Sequence, residues 1–109
     1  MPYDLGLAER LNEVTADIPH MEPVKMFGGI GHMLNGNMCV GIYKDFLVLR
    51  LGKDKAGPIL ALPHTKPMDL TGKVMNGWVM VAPDGYEDQT DLEHFVDEAV
   101  AFVKTLPPK

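Results

Sequence analysis

Apolar residues recur at helical spacing in the first part of the chain, at Leu5, Leu7, Ala8, Leu11, Val14 and Ile18. Glu9, Arg10, Glu13 and Asp17 fill the other face, which predicts a half-buried amphipathic helix. Asp4 is placed to cap it and Pro19 to end it. The period then changes to that of strands. Asn35-Gly36 lies between the apolar runs 30–34 and 38–43, and Asn-Gly supplies the two positive φ angles of a tight hairpin turn. Lys44-Asp45 makes a second short turn before the run 46–51. These signals predict a three-strand antiparallel meander. Gly28, Gly29, Gly31 and Gly41 within it predict bulges or close backbone approach.

Gly52 breaks the third strand. Residues 53–62 are weakly helical, with Pro58 limiting how far a helix extends. Pro63, Pro67 and Gly72 mark a connection, and 74–82 reads as a strand with Trp78 at its centre. Pro83-Asp84-Gly85 predicts a turn. Thr90-Asp91-Leu92-Glu93 has the spacing of a capping box. The stripe Leu92, Phe95, Val96, Ala99, Phe102, Val103 and Leu106 predicts a final helix, stopped by Pro107-Pro108. The order predicts an α+β fold: an antiparallel sheet of the meander plus at least one later strand, flanked by N- and C-terminal helices. With 109 residues, no internal repeat and no long linker, one domain spanning 1–109 is expected.

Composition narrows the chemistry. Hydrophobic residues make up 46% of the chain and charged residues 23%, enough apolar surface for a real core. The net charge of −5 disfavours a nucleic-acid backbone as partner. The charge is uneven, however. Residues 1–43 hold two basic and five acidic residues, 74–109 hold two and seven, but the stretch from Lys44 to Lys73 holds six basic and three acidic. The middle third could present a modest basic face. Cys39 is the only cysteine, which suits a reducing compartment and predicts a cytoplasmic location. The charged N-terminus argues against a signal peptide. The longest uncharged run, 26–43, alternates like strands and contains five glycines, which argues against a membrane span.

Candidate catalytic groups are few. The chain has no serine. Cys39 lies in an apolar strand, where a thiol is normally an inert core residue. His20, His32, His64 and His94 show no metal-ligand spacing, and Met38 and Cys39 should point to opposite faces of a strand. Gly29-Ile30-Gly31 leads into a strand, without the helix N-terminus that phosphate binding uses. Glu93, His94 and Asp97 read as exposed helix surface. No metal and no cofactor are expected.

Lys25-Met26-Phe27-Gly28-Gly29, Asn35-Gly36-Asn37-Met38, Leu49-Arg50, Pro67-Met68 and Gly77-Trp78-Val79 together resemble the N-terminal domain of the TfoX/Sxy competence-regulator family, across nearly the whole chain. The ending, a helix running into Leu106-Pro107-Pro108-Lys109, resembles its short stand-alone members. Phe95 stands where many relatives carry a tryptophan, a change in packing. The resemblance implies a curved antiparallel sheet with flanking helices. It also implies a non-enzymatic role in transcriptional regulation through protein partners, as in the two-domain members. It carries over no catalytic residue.

Among the matching residues, Lys25, Phe27, Asn35, Asn37 and Arg50 are the candidates for a binding surface. Backbone geometry accounts for Gly28, Gly29 and Gly36, and core packing for Met26, Phe27 and Trp78. Three readings follow. A protein-binding regulatory module, the favoured one, requires an exposed apolar or mixed patch. A small-molecule or nucleic-acid binder requires the basic side chains from Lys44 to Lys73 to converge on one face. A small enzyme requires a pocket where Cys39 or a histidine meets a second titratable group. A homodimer would use an exposed sheet edge or face.

Overall fold

The computed structural model describes residues 4–26, 29–68 and 76–108. Helix α1 (Leu5–Thr15) starts where expected, because the Asp4 carboxylate accepts a hydrogen bond from the Leu7 amide at 3.1 Å. Strands β1 (Met21–Met26), β2 (Gly29–Leu34), β3 (Asn37–Tyr43) and β4 (Phe46–Arg50) follow as an antiparallel meander. Helix α2 (Gly52–Leu60) leads to β5 (Thr65–Pro67) and β6 (Trp78–Val81), and one helical turn, α3 (Pro83–Tyr86), precedes α4 (Gln89–Val103). The sheet order is β1-β2-β3-β4-β6-β5, with every pair antiparallel, so the fold is an α+β fold on an open six-stranded sheet.

The Asn35-Gly36 turn has the predicted backbone, and Lys44-Asp45 makes the second short turn. Asn35 and Gly36 adopt φ of 54° and 84°, and Lys44 adopts 58°. Two strands were not expected from the sequence, and both hold a proline. Pro23 lies in β1 and Pro67 in β5, which are the two edges of the sheet, where a missing N–H can face away from the ladder. Other details also differ, among them the end of α1 at Thr15, four residues before Pro19. Trp78 opens β6 and is not at its centre, while Val74 and Met75 lie outside the described residues. Pro83 starts a helical turn, and Pro58 sits inside α2. The final helix is capped by Asp88, whose carboxylate accepts from the Thr90 amide at 2.8 Å, so Thr90 falls in the first turn.

One face of the sheet carries the main core. Val40, Ile42, Leu47, Leu49, Val79 and Val81 point to it and pack with Leu7 and Leu11 of α1, Ala56 and Ile59 of α2, and Leu92, Val96, Ala99 and Val103 of α4. His32 pairs with Val40 and Met33 with Met38, which leaves Cys39 as the extra residue of a β-bulge. The bulge turns Cys39 and Val40 into the same core, both fully buried, while Met38 packs on the opposite face. Gly29 and Gly41 permit close approach of β2 and β3: a Cβ on Gly41 would lie 2.6 Å from the Ile30 carbonyl oxygen, and one on Gly29 would strike that of Ile42.

Candidate functional site: the open face of the sheet

The strand period of two places a second set of side chains opposite the helices. Val48, Met68 and Met80 are buried there in a separate small cluster, and Met38, Tyr43, Phe46 and Trp78 pack against it half-exposed. Among the described residues, α1, α2, α3 and α4 all contribute to the other core and none supplies a residue to this cluster. Cross-strand pairing sets out a row of Val24, Gly31, Gly41, Val48, Met80 and Lys66. Val24, on the edge strand, is 41% exposed, and the Met38 methyl lies where a Cβ on Gly41 would project. This face is therefore a strip of methionine, valine and aromatic surface, shallow where the two glycines sit.

Each aromatic ring on the strip has a cation against it. The Lys66 ammonium lies 4.4 Å from the Phe46 ring centre, the Arg50 guanidinium 5.4 Å from that of Trp78, and the Lys44 ammonium 5.4 Å from that of Tyr43. At the Arg50 end the strip opens into a cleft of about 600 Å³, lined by Arg50, Lys53, Asn76, Trp78, Phe102 and neighbouring residues. Gly52 and Gly77 shape its wall with φ of 80° and 88°, and the Gly77 carbonyl accepts hydrogen bonds from the Leu51 and Gly52 amides at 2.8 and 3.0 Å. A side chain on Gly52 would collide with the Phe102 ring.

The helical side has the opposite sign. Glu9 and Glu13 of α1, Asp17 just beyond its end, and Asp91, Glu93 and Asp97 of α4 are exposed, and Glu13, Asp17, Glu93 and Asp97 line one shared groove. The charge asymmetry along the sequence is thus in part a separation between layers, with Glu22 sharing the face of Val24 on β1 and Lys53 and Lys55 lying on α2. The convergence expected from Lys44 to Lys73 is partial. Lys44, Arg50 and Lys66 reach the strip, Lys53 is exposed on α2 and Lys55 is paired to Glu98 at 3.3 Å. Lys73 lies outside the described residues.

The sequence-derived candidates do not form one site. Arg50 belongs to the strip and cleft. Asn35 is half-buried in the β2–β3 turn, at the same end of the sheet. Lys25 is exposed on the far edge strand and paired with Ile30 near the other end. Asn37 is not surface: it is 4% exposed and its amide donates to the Pro107 carbonyl at 2.9 Å, holding the chain's end to the hairpin. Phe27 and Gly28 lie outside the described residues, and Met26 is described only in its backbone, within β1. Trp78 is half-buried on the open face, not part of the helix-side core. Tyr43, Phe46 and Lys66 were missed: Lys66 meets Phe46 from 20 residues along the chain, and alternation within β3 and β4 does not say which face the helices leave open. The basic excess between Lys44 and Lys73 was the signal that could have found Lys66.

Two of the groups weighed for catalysis, Cys39 and His32, are buried apart from this strip, while His20, His64 and His94 are exposed. Burial pushes the Cys39 thiol up to about 12, against a smaller opposing pull from the Arg50 guanidinium. His32 is 2% exposed, with neither ring nitrogen hydrogen-bonded among the described residues, and burial lowers its pKa. Among the described residues no three His, Cys, Asp or Glu side chains are grouped to hold a metal ion, and no helix is long and apolar enough to cross a membrane.

The model of one protein family, the TfoX N-terminal domain, matches residues 13–103, from within α1 to the last residue of α4. No curated protein matches the chain.

Proposed function

This chain belongs to the TfoX N-terminal domain family, and from that premise we propose that it is a non-enzymatic regulatory module. It works in the cytoplasm by holding a protein partner on the open face of its sheet, in the control of transcription. The observation that carries this reading is the make-up of that face. Tyr43, Phe46, Trp78, Met38 and Arg50 are half-exposed on it together. Aromatic residues, methionine and arginine are the types enriched where proteins meet. The prolines in both edge strands add to the argument, because they interrupt the donors a pairing strand would need and leave the face as the surface for contact. The buried, protonated Cys39 thiol fits a core residue better than a nucleophile.

Photo-crosslinking tests this reading. A benzophenone amino acid replacing Phe46 should link to one discrete protein in cells that express the chain natively. The same group replacing His94, exposed on α4, should not. Equal products from both positions, or none from position 46, would overturn it.

A further inference from the structure

We propose that the partner docks through an acidic segment with apolar anchors. The inference rests on the protein-binding reading above and adds the chemistry of what is bound.

The argument starts from charge placement. The open strip holds Lys44, Arg50 and Lys66 beside its rings, and the exposed carboxylates of α1 and α4 lie on the other layer. An anionic partner is drawn to the sheet side and repelled from the helical side, which fixes its approach. The three cations are set around an apolar centre of Met38, Val48 and Met80. Stacking on an aromatic ring holds each cation in place, so less side-chain freedom is lost when a carboxylate arrives. Phe46 and Arg50 are four residues apart in β4, so the Lys66 and Arg50 ends of the strip are separated by about 13 Å. A partner segment would span this with about four extended residues, or with about nine residues of helix. Large apolar side chains between its acidic positions would meet the methionines and rings, and the cleft of about 600 Å³ beside Arg50 and Lys53 would take the segment's end.

A nucleic-acid strand fits less well. The middle of the strip is methionine and valine, and the molecule as a whole carries −5. A phosphate chain needs cations along its length, and among the described residues this face offers three, at the rims of an apolar centre.

Selection from a displayed library of random 16-residue peptides tests the proposal, with the full chain as bait and single-stranded dT15 measured beside the winners. Enriched peptides should be net acidic and carry at least two large apolar residues. Their affinity should fall about tenfold on Lys66→Glu and on Arg50→Glu, and fall as salt is raised. Circular dichroism and melting should show both variants folded. Peptides with no acidic excess that still lose affinity on Phe46→Ala would overturn this inference and leave the protein-binding reading standing. Peptides indifferent to Phe46→Ala, Lys66→Glu and Arg50→Glu, or no enrichment at all, would overturn both. Binding of dT15 tighter than the best peptide, lost on Lys66→Glu, would replace the acidic segment with a nucleic acid.

Discussion

Val48 and Leu49 are neighbours in β4, and both are essentially inaccessible to solvent. Leu49 faces α1, α2 and α4 and belongs to the large core they share; Val48 faces the other way, into a cluster with Met68 and Met80. The helix-side layer ends in a mostly acidic exterior. The open layer ends in half-exposed rings with cations against them. The same strands therefore serve two ends: one side chain in two closes the core, and the next is available for contact. Stability should reside in the first set and recognition in the second.

The largest expected effect lies in the core. Leu49→Ala removes a fully buried side chain from the shared core and should cost about 2–5 kcal/mol of unfolding free energy in urea. Phe46→Ala removes a half-exposed ring and should cost about 1 kcal/mol. Equal losses would break the distinction between the layers.

Next is acid sensitivity. His32 is buried between Pro23 and Val40, and its ring nitrogens have no hydrogen-bond partner among the described residues. Burial depresses its pKa in the folded state, so between that value and the ordinary one of about 6.5 the unfolded chain binds the extra proton. Its contribution is complete above about pH 6.5 and is lost as pH falls below that, by at most about 1.4 kcal/mol per pH unit. Denaturation measured across that range in the wild type and in His32→Leu should show the variant with the shallower loss; parallel curves would place the acid sensitivity elsewhere.

A smaller effect sharpens the role of the hairpin. Asn37→Ala breaks the bond to the Pro107 carbonyl and should cost about 1 kcal/mol. It should also speed amide exchange in the last residues after α4. It should leave partner binding unchanged, since Asn37 is structural and not a contact residue.

What could be read in the sequence was local. The Asn35-Gly36 turn follows from two φ angles, the Asp4 cap from one carboxylate, and the burial of Cys39 from its apolar strand. Edge strands β1 and β5 were hidden because Pro23 and Pro67 count against a strand unless it is known to lie at an edge, and that position is a property of the whole sheet. The helix start at Asp88 was hidden by a second good capping pattern two residues later. The candidate site was the least legible part. Lys66 meets Phe46 across 20 residues of chain, and only the order β4-β6-β5 brings them near each other. Arg50 stood out because a cation ending an apolar strand needs either solvent or a partner, and it is half-exposed with the Trp78 ring against it.

The central claim is that recognition belongs to the open face, and charge reversal on the two layers tests it most directly. Partner binding should be measured by calorimetry for Arg50→Glu with Lys66→Glu, and separately for Glu13→Lys with Glu93→Lys, after melting shows both folded. The open-face pair should weaken binding at least about tenfold, while the helix-face pair changes it little. Loss of binding in the helix-face pair with retention in the open-face pair would contradict the account.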